Sequence, residues 1–220
     1  MTLLNDALRA ELTRMYRAPD RFYHGLSHVD ALLGLLATHR AAVADADAVE
    51  AAIWFHDAVY DARAAGPANE VASAALAVAR LSELPHVSSD RVAKIAAMIE
   101  GTASHVVPAV LEGDDGARAD AALFLDMDLS ILGAEAQVFD AYEAAVRKEY
   151  AWVHDEAWRK GRADVLRRFL GRERIFHSEL FRALYEDAAC RNLQRSISKL
   201  EGGAAVAVVT VGEVARGADL

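Results

Sequence analysis

The chain has 220 residues, enough for one domain with a full hydrophobic core, or one domain with a tail. Alanine, leucine and valine are abundant while Gly (13) and Pro (4) are sparse, so helix formers dominate and an all-α fold is expected. A formal net charge of −9 removes the electrostatic reason to bind a nucleic-acid polymer or an anionic membrane surface, although a cation concentrated in one pocket would still hold a small phosphorylated ligand.

Residues 1–17 are amphipathic and mix acids with bases, with no apolar stretch leading to a small-residue cleavage site, so no signal peptide is expected. Leu3, Leu4, Leu8, Leu12 and Met15 recur at helical spacing and predict a first helix that stops before Pro19. A second helix is expected over 27–40, with Leu32, Leu33, Leu35 and Leu36 on its buried side, and a third over 47–59. Ala64-Ala65-Gly66-Pro67 breaks the pattern before a fourth helix over 68–84, which ends near Pro85. Ser88-Ser89-Asp90 caps a fifth helix reaching Ile99, and 101–117 reads as a loop. A sixth helix is expected over 121–132, a long seventh over 137–160, and shorter helices to about Leu200. Residues 1–200 therefore form a single helical domain. Residues 201–220 form a tail whose valine alternation, Val206 to Val211, fits either a short strand or disorder. No apolar run approaches the ~18 residues of a membrane span. The lone Cys190 cannot form an intramolecular disulfide, which fits a reducing, cytoplasmic location.

The strongest chemical signal is Ile53-Trp54-Phe55-His56-Asp57, an apolar run ending in two adjacent metal-ligand types. Burying an imidazole beside a carboxylate is costly unless they pair or bind a cation. A second dipeptide, His154-Asp155, lies among Glu, Lys and Arg and reads as a solvated face. Upstream, His28 precedes Leu32 and Leu36 at helical spacing and so looks inward. His24 either shares its helical face at i,i+4 or sits in the preceding loop, with Ser27 as cap and Asp30 three residues on. His28, His56 and Asp57 leave a metal under-coordinated, so a further acid is needed. On a helical wheel Asp128 falls in the apolar sector of Leu125, Leu129 and Leu132. Asp126 points away and reads as a cap or outer acceptor, and is the alternative ligand.

A histidine on one helix, an adjacent His-Asp on another and a distant aspartate resemble the metal signature of the HD superfamily of phosphohydrolases. Tyr23-His24-Gly25-Leu26-Ser27-His28, Ala52 to Asp61 and Phe124 to Gly133 resemble one bacterial subgroup of predicted metal-dependent HD phosphohydrolases, and the similarity continues through Tyr142, Arg147, Glu149, Tyr150, Gly161, Arg162 and Phe169. The resemblance implies an HD-domain, phosphodiesterase-like helical bundle and hydrolysis of a small phosphate ester or anhydride, with a nucleotide as the expected substrate. Similarity to cyclic-nucleotide phosphodiesterases implies that His24 protonates the leaving oxygen, and it too selects Asp128 as ligand. Similarity to alarmone hydrolases implies that Asp61 acts near the attacking water, although Tyr60 stands where those enzymes carry a glutamate.

Two imidazoles and two carboxylates suit one divalent transition metal (Mn, Fe, Co, Ni or Zn) better than Mg or Ca. Such an ion would acidify a bound water and polarise phosphorus. Arg21, Arg147 and Arg162 are candidates to hold phosphoryl charge. His105 reads as a substrate contact, a ligand to a second metal, or an exposed loop residue. Glu70 reads as a site residue or a favourable charge at a helix start. The expected partner is a small phosphorylated substrate, with a homodimer left open. Two other functions compete: an HD-type di-iron oxygenase, with His24 and His105 completing a two-metal set, and a metal-binding module without turnover.

Overall fold

The structure, a computed structural model, describes residues 3–209. Among these residues every regular element is helical: α1 (Asp6–Tyr16), α2 (Leu26–Thr38), α3 (Ala46–Phe55), α4 (Ala68–Leu81), α5 (Ser89–Gly101), α6 (Asp115–Leu129), α7 (Ala136–Glu149), α8 (Asp155–Leu170) and α9 (Glu179–Val209), with short 3-10 turns between some of them. The all-α expectation holds. No helix among the described residues is long and apolar enough to cross a membrane.

The helix α3 is the centre of the bundle. It packs against α1, α2, α4, α5 and α6, and Ala48, Val49 and every residue from Ala51 to Phe55 are buried. A helix apolar all round has to be surrounded. Ile53, Phe55, Phe124 and Phe139 are fully enclosed, each contributing about 1.5–3 kcal/mol by leaving water. The start of α3 is pinned from two sides. Asp45 caps Ala48 N and accepts a two-pronged contact from Arg91 of α5, while the Asp120 carboxylate of α6 accepts the amides of Ala44 and Asp45.

Several boundaries differ from the sequence expectation. The third helix stops at Phe55 rather than near residue 59, because the following carbonyls are taken by another partner. Arg21 donates to Asp57 O at 2.5 Å and Ala58 O at 2.8 Å, so those groups leave the helical ladder. The expected loop over 101–117 already contains the start of α6, where Asp114 caps Ala117 N. The expected long seventh helix is two helices, α7 and α8. Arg147 donates to the carbonyls of Tyr150 and Val153 and to Asp155, satisfying the end of α7 while the chain turns. The region after α8 forms one long helix, α9, instead of several shorter ones. It remains helical through Val209, where a strand or disorder was expected, and residues 210–220 lie outside the described residues.

Candidate metal centre

Three of the bundle helices aim a ligand type at one point. On α2, His28, Leu32 and Leu36 share the buried face, and the histidine occupies its first inward position. His56 immediately follows the buried α3 and is 1% exposed. Asp128 lies in the last turn of α6. One ligand atom from each of His28, His56 and Asp128 lies within 4.8 Å of the other two. His28 Nε2 is 3.1 Å from His56 Nε2 and 3.1 Å from Asp128 Oδ1. Asp57 Oδ2 lies 3.0 Å from His56 Nε2 and 3.8 Å from His28 Nε2, so it touches both imidazoles without completing the tightest set.

These residues fit a divalent cation. Ligand atoms about 2.1 Å from a common ion and at right angles to one another stand about 3.0 Å apart, close to the spacing seen between several of these atoms. The tautomer is suitable as well: Ile53 O can only accept, so His56 Nδ1 carries the hydrogen in their 2.8 Å bond and Nε2 presents its lone pair to the centre. The electrostatics point the same way. Burial opposes a charge on His56, yet Asp57 beside it and Asp128 nearby raise its pKa to about 9. Burial likewise opposes the charges on Asp57 and Asp128, yet the facing imidazoles hold both well below the usual carboxylate range.

The centre lies at the side of a cleft of about 830 Å³, whose wall includes His24, Asp57, His105 and Asp128. His24 sits in the loop before α2, one of the two arrangements the sequence allowed, but the cap residue is Gly25 and not Ser27. That loop is shaped by Glu149, at the end of α7. Its Oε1 accepts the amides of Phe22, Tyr23 and His24, and its Oε2 accepts from His24 Nδ1 at 2.6 Å and from the Tyr60 hydroxyl at 2.9 Å. Tyr60 also stacks on the His24 ring, with centroids 4.4 Å apart. Burial lowers the His24 pKa, but Asp57 and Glu149 together raise it above its ordinary value.

His105 contacts the centre from the loop after α5, with Nε2 2.9 Å from Asp128 Oδ2. Asp128 therefore spans two imidazoles, one on each oxygen. The His105 backbone is in the left-handed region, φ 50°, where a side chain is held only by its surroundings. Here Arg172 and His177 both donate to its carbonyl, and Arg172 also donates to Ser104 O.

The remaining site expectations separate sharply. Glu70, His105 and Arg162 line the cleft. Arg162 is paired with Glu143 and donates to the Tyr142 hydroxyl, so its charge is already matched. One carboxylate oxygen of Glu70 is buried without a hydrogen-bond partner. Arg21 does not reach the cleft: it is a brace, donating to His24 O, Asp57 O and Ala58 O, and it holds both chemical loops in place. Arg147 is likewise spent on the end of α7, for the reason given above. Asp61 is exposed and accepts from Arg63 N, while its backbone joins Asn69; it does not line the cleft, contrary to the expectation that it acts beside the attacking water. Asp126 is fully buried and accepts from His177 N, Ser178 N and the Ser178 hydroxyl, fixing the turn into α9. It is the outer acceptor the wheel suggested, and is not among the converging atoms. His154 and Asp155 are exposed at the start of α8, where Asp155 pairs with Arg147. Glu149, Tyr60, Arg168 and Arg172 were not identified as site residues from spacing; Glu149 and Tyr60 carried a signal only as part of the family resemblance, and Arg168 and Arg172 carried none.

No family model matches this chain, and no curated protein or solved structure matches it either.

Proposed function

We propose that the chain is a metal-dependent phosphohydrolase of the HD type, acting on a small phosphate ester or anhydride, with a nucleotide as the leading substrate. The observation that carries this reading is the convergence of His28, His56 and Asp128 at a cleft whose wall also bears a histidine with a raised pKa. His28, His56 and Asp128 would hold the ion, with Asp57 as the fourth ligand. When bound, a divalent transition metal supplies an acidified water and neutralises phosphoryl charge.

The chain's own groups supply the rest. Glu149 accepts from His24 Nδ1 and thereby keeps the ring oriented and raises its affinity for a proton, leaving Nε2 as the proton donor. As a water that has lost one proton to solvent bonds to phosphorus and the bond to the leaving oxygen breaks, His24 Nε2 would give that oxygen its proton. Tyr60, stacked on the ring and hydrogen-bonded to the same carboxylate, restricts its rotation. Tyr23 packs against the rings of His24, His28 and Tyr142, and both tyrosines line the cleft beside the centre. Phosphate release from a panel of nucleotides, measured with Mn, Fe(II), Co, Ni and Zn, tests the reading. Release that depends on one of these ions and disappears in His56→Ala is the expected result. Absence of release from every nucleotide, with bound metal verified by elemental analysis, would sink it.

One observation favours a second reading. Asp128 offers its two oxygens to His28 and to His105, as a carboxylate shared between two metals would. A di-iron oxygenase of the HD type would contain two irons per chain with visible-region absorption, whereas a hydrolase with a mononuclear centre would contain one ion.

A further inference from the structure

The cleft contains positive charge that the metal centre does not use. Three arginines line it: Arg162 and Arg168 on α8, and Arg172 just beyond its end. Arg162 is matched by Glu143. Among the described residues, neither Arg168 nor Arg172 has a carboxylate within ion-pair distance. Arg168 is exposed at the cleft and makes no hydrogen bond there to another described residue. Arg172 lies over the Phe169 ring, 4.6 Å from its centroid, and donates to His105 O and Ser104 O. Carbonyls orient a guanidinium but leave its charge unbalanced. The Arg172 pKa is accordingly lowered, with burial as the only cause. A guanidinium has five N–H donors, so two carbonyl contacts leave three for a ligand.

Among the described residues the exposed Arg14, Arg17, Arg118, Arg174 and Arg191 also lack an ion pair, but none of them lines the cleft; what sets Arg168 and Arg172 apart in a chain of net charge −9 is that they do. Its position also matters. Arg172 holds the backbone of His105, and His105 contacts Asp128, so the unbalanced cation is linked to the metal centre through a single residue. With a divalent ion balancing Asp57 and Asp128, Glu70 is the one cleft acid left to face Arg168 and Arg172. The cleft then keeps a surplus of positive charge beside the reacting phosphoryl group.

We infer that Arg168 and Arg172 form a second anion subsite, and that the substrate carries a second phosphate next to the one that is hydrolysed. The substrate class is thus a phosphoanhydride or a compact bisphosphate, and a monophosphate on a neutral body would leave this subsite unfilled. A guanidinium suits the planar, two-pronged recognition of phosphate oxygens, and Arg172 lies over the Phe169 ring on the same cleft wall as Arg168. The inference rests on the phosphohydrolase reading, but binding tests it independently of turnover.

Calorimetry on the Mn-loaded full chain compares methylenebisphosphonate with methylphosphonate, neither of which can be hydrolysed at a bridging oxygen. The expected result is that the bisphosphonate binds at least about tenfold tighter, and that Arg168→Gln narrows this ratio at least about fivefold. Arg167→Gln removes an equal charge from the same helix, outside the cleft, and controls for net charge; it should leave the ratio as it was. Arg172→Gln should also narrow the ratio, and because that residue also supports the 104–105 backbone, Arg168→Gln is the deciding variant. Equal affinity for the two phosphonates, or equal effects of Arg168→Gln and Arg167→Gln, would overturn the subsite. If the ratio and its dependence on Arg168 stand while no nucleotide is hydrolysed, the subsite survives and the hydrolase reading falls.

Discussion

Replacing Glu149 by glutamine keeps the side-chain shape and removes one buried charge. Burial alone would raise the Glu149 pKa, but the bond from His24 and the donated backbone amides lower it from 4.5 to about 2. A gap of that size between folded and unfolded chains is worth about 3 kcal/mol at neutral pH, at ~1.4 kcal/mol per tenfold change in proton affinity. The folded-state value is the lower one. This stabilisation is therefore complete above about pH 4.5 and is lost as the pH falls toward about 2. Glutamine has no proton to gain, and its amide nitrogen would face the N–H of His24 and the O–H of Tyr60. Glu149→Gln should cost about 2–4 kcal/mol near neutrality and less in acid. Urea denaturation at a near-neutral and an acidic pH measures the difference. A second readout is the His24 ring. Burial lowers its pKa and Asp57 and Glu149 raise it, so in the variant its proton resonances should titrate at lower pH, and the alkaline limb of any turnover should move down with them. If wild type and variant differ in stability by the same amount at both pH values, and His24 titrates unchanged, the role given to this carboxylate is wrong.

Other substitutions separate the remaining assignments. Asp128→Asn should abolish metal binding in elemental analysis with helical circular dichroism retained, because the bundle has its own core; full occupancy would exclude Asp128 as a ligand. Asp126→Asn should instead retain metal and lower the melting temperature, by about 1–3 kcal/mol of stability, since it leaves part of a buried three-donor set unpaired. Replacing His154 and Asp155 together by alanine should leave metal content unchanged, and loss of metal there would redraw the centre. Gly133→Ala should destabilise by about 1–3 kcal/mol, because a Cβ at that position would meet Tyr185 Cβ and O of α9 at 2.6 Å. An unchanged melting temperature would show that α9 can move away from this turn.

Much of the candidate metal centre was legible in the sequence. The inward aim of His28 follows from the 3.6-residue period that also buries Leu32 and Leu36, and that period belongs to the chain alone. The position of His56-Asp57 follows from the apolar run before it, which can only be a surrounded helix. The choice of Asp128 over Asp126 came from the same periodicity, but for a partly incomplete reason. The wheel turned Asp126 away from the core, and α9 covers that side, so Asp126 is the more deeply buried of the two. A wheel sees one helix and cannot see what packs on its other face.

The roles of the charged residues around the centre were decided by the tertiary structure. Arg21, Arg147 and Arg172 have the same side chain and the same charge, and composition cannot distinguish them. What separates them is which backbone carbonyls the folded chain leaves without partners, and at Arg21 and Arg147 those carbonyls take the guanidinium away from any ligand. Asp61 follows the metal dipeptide by only four residues, yet the backbone has left the helix by then, so helical spacing no longer predicts its direction. Glu149 lies more than 120 positions from the loop it organises. The helical class and the two inward-facing histidine positions follow from local periodicity and apolar burial, which the chain carries along its own length. The acid at the cleft, the bracing arginines and the unbalanced charge of Arg168 and Arg172 depend on contacts between distant segments, and only packing the bundle decided them.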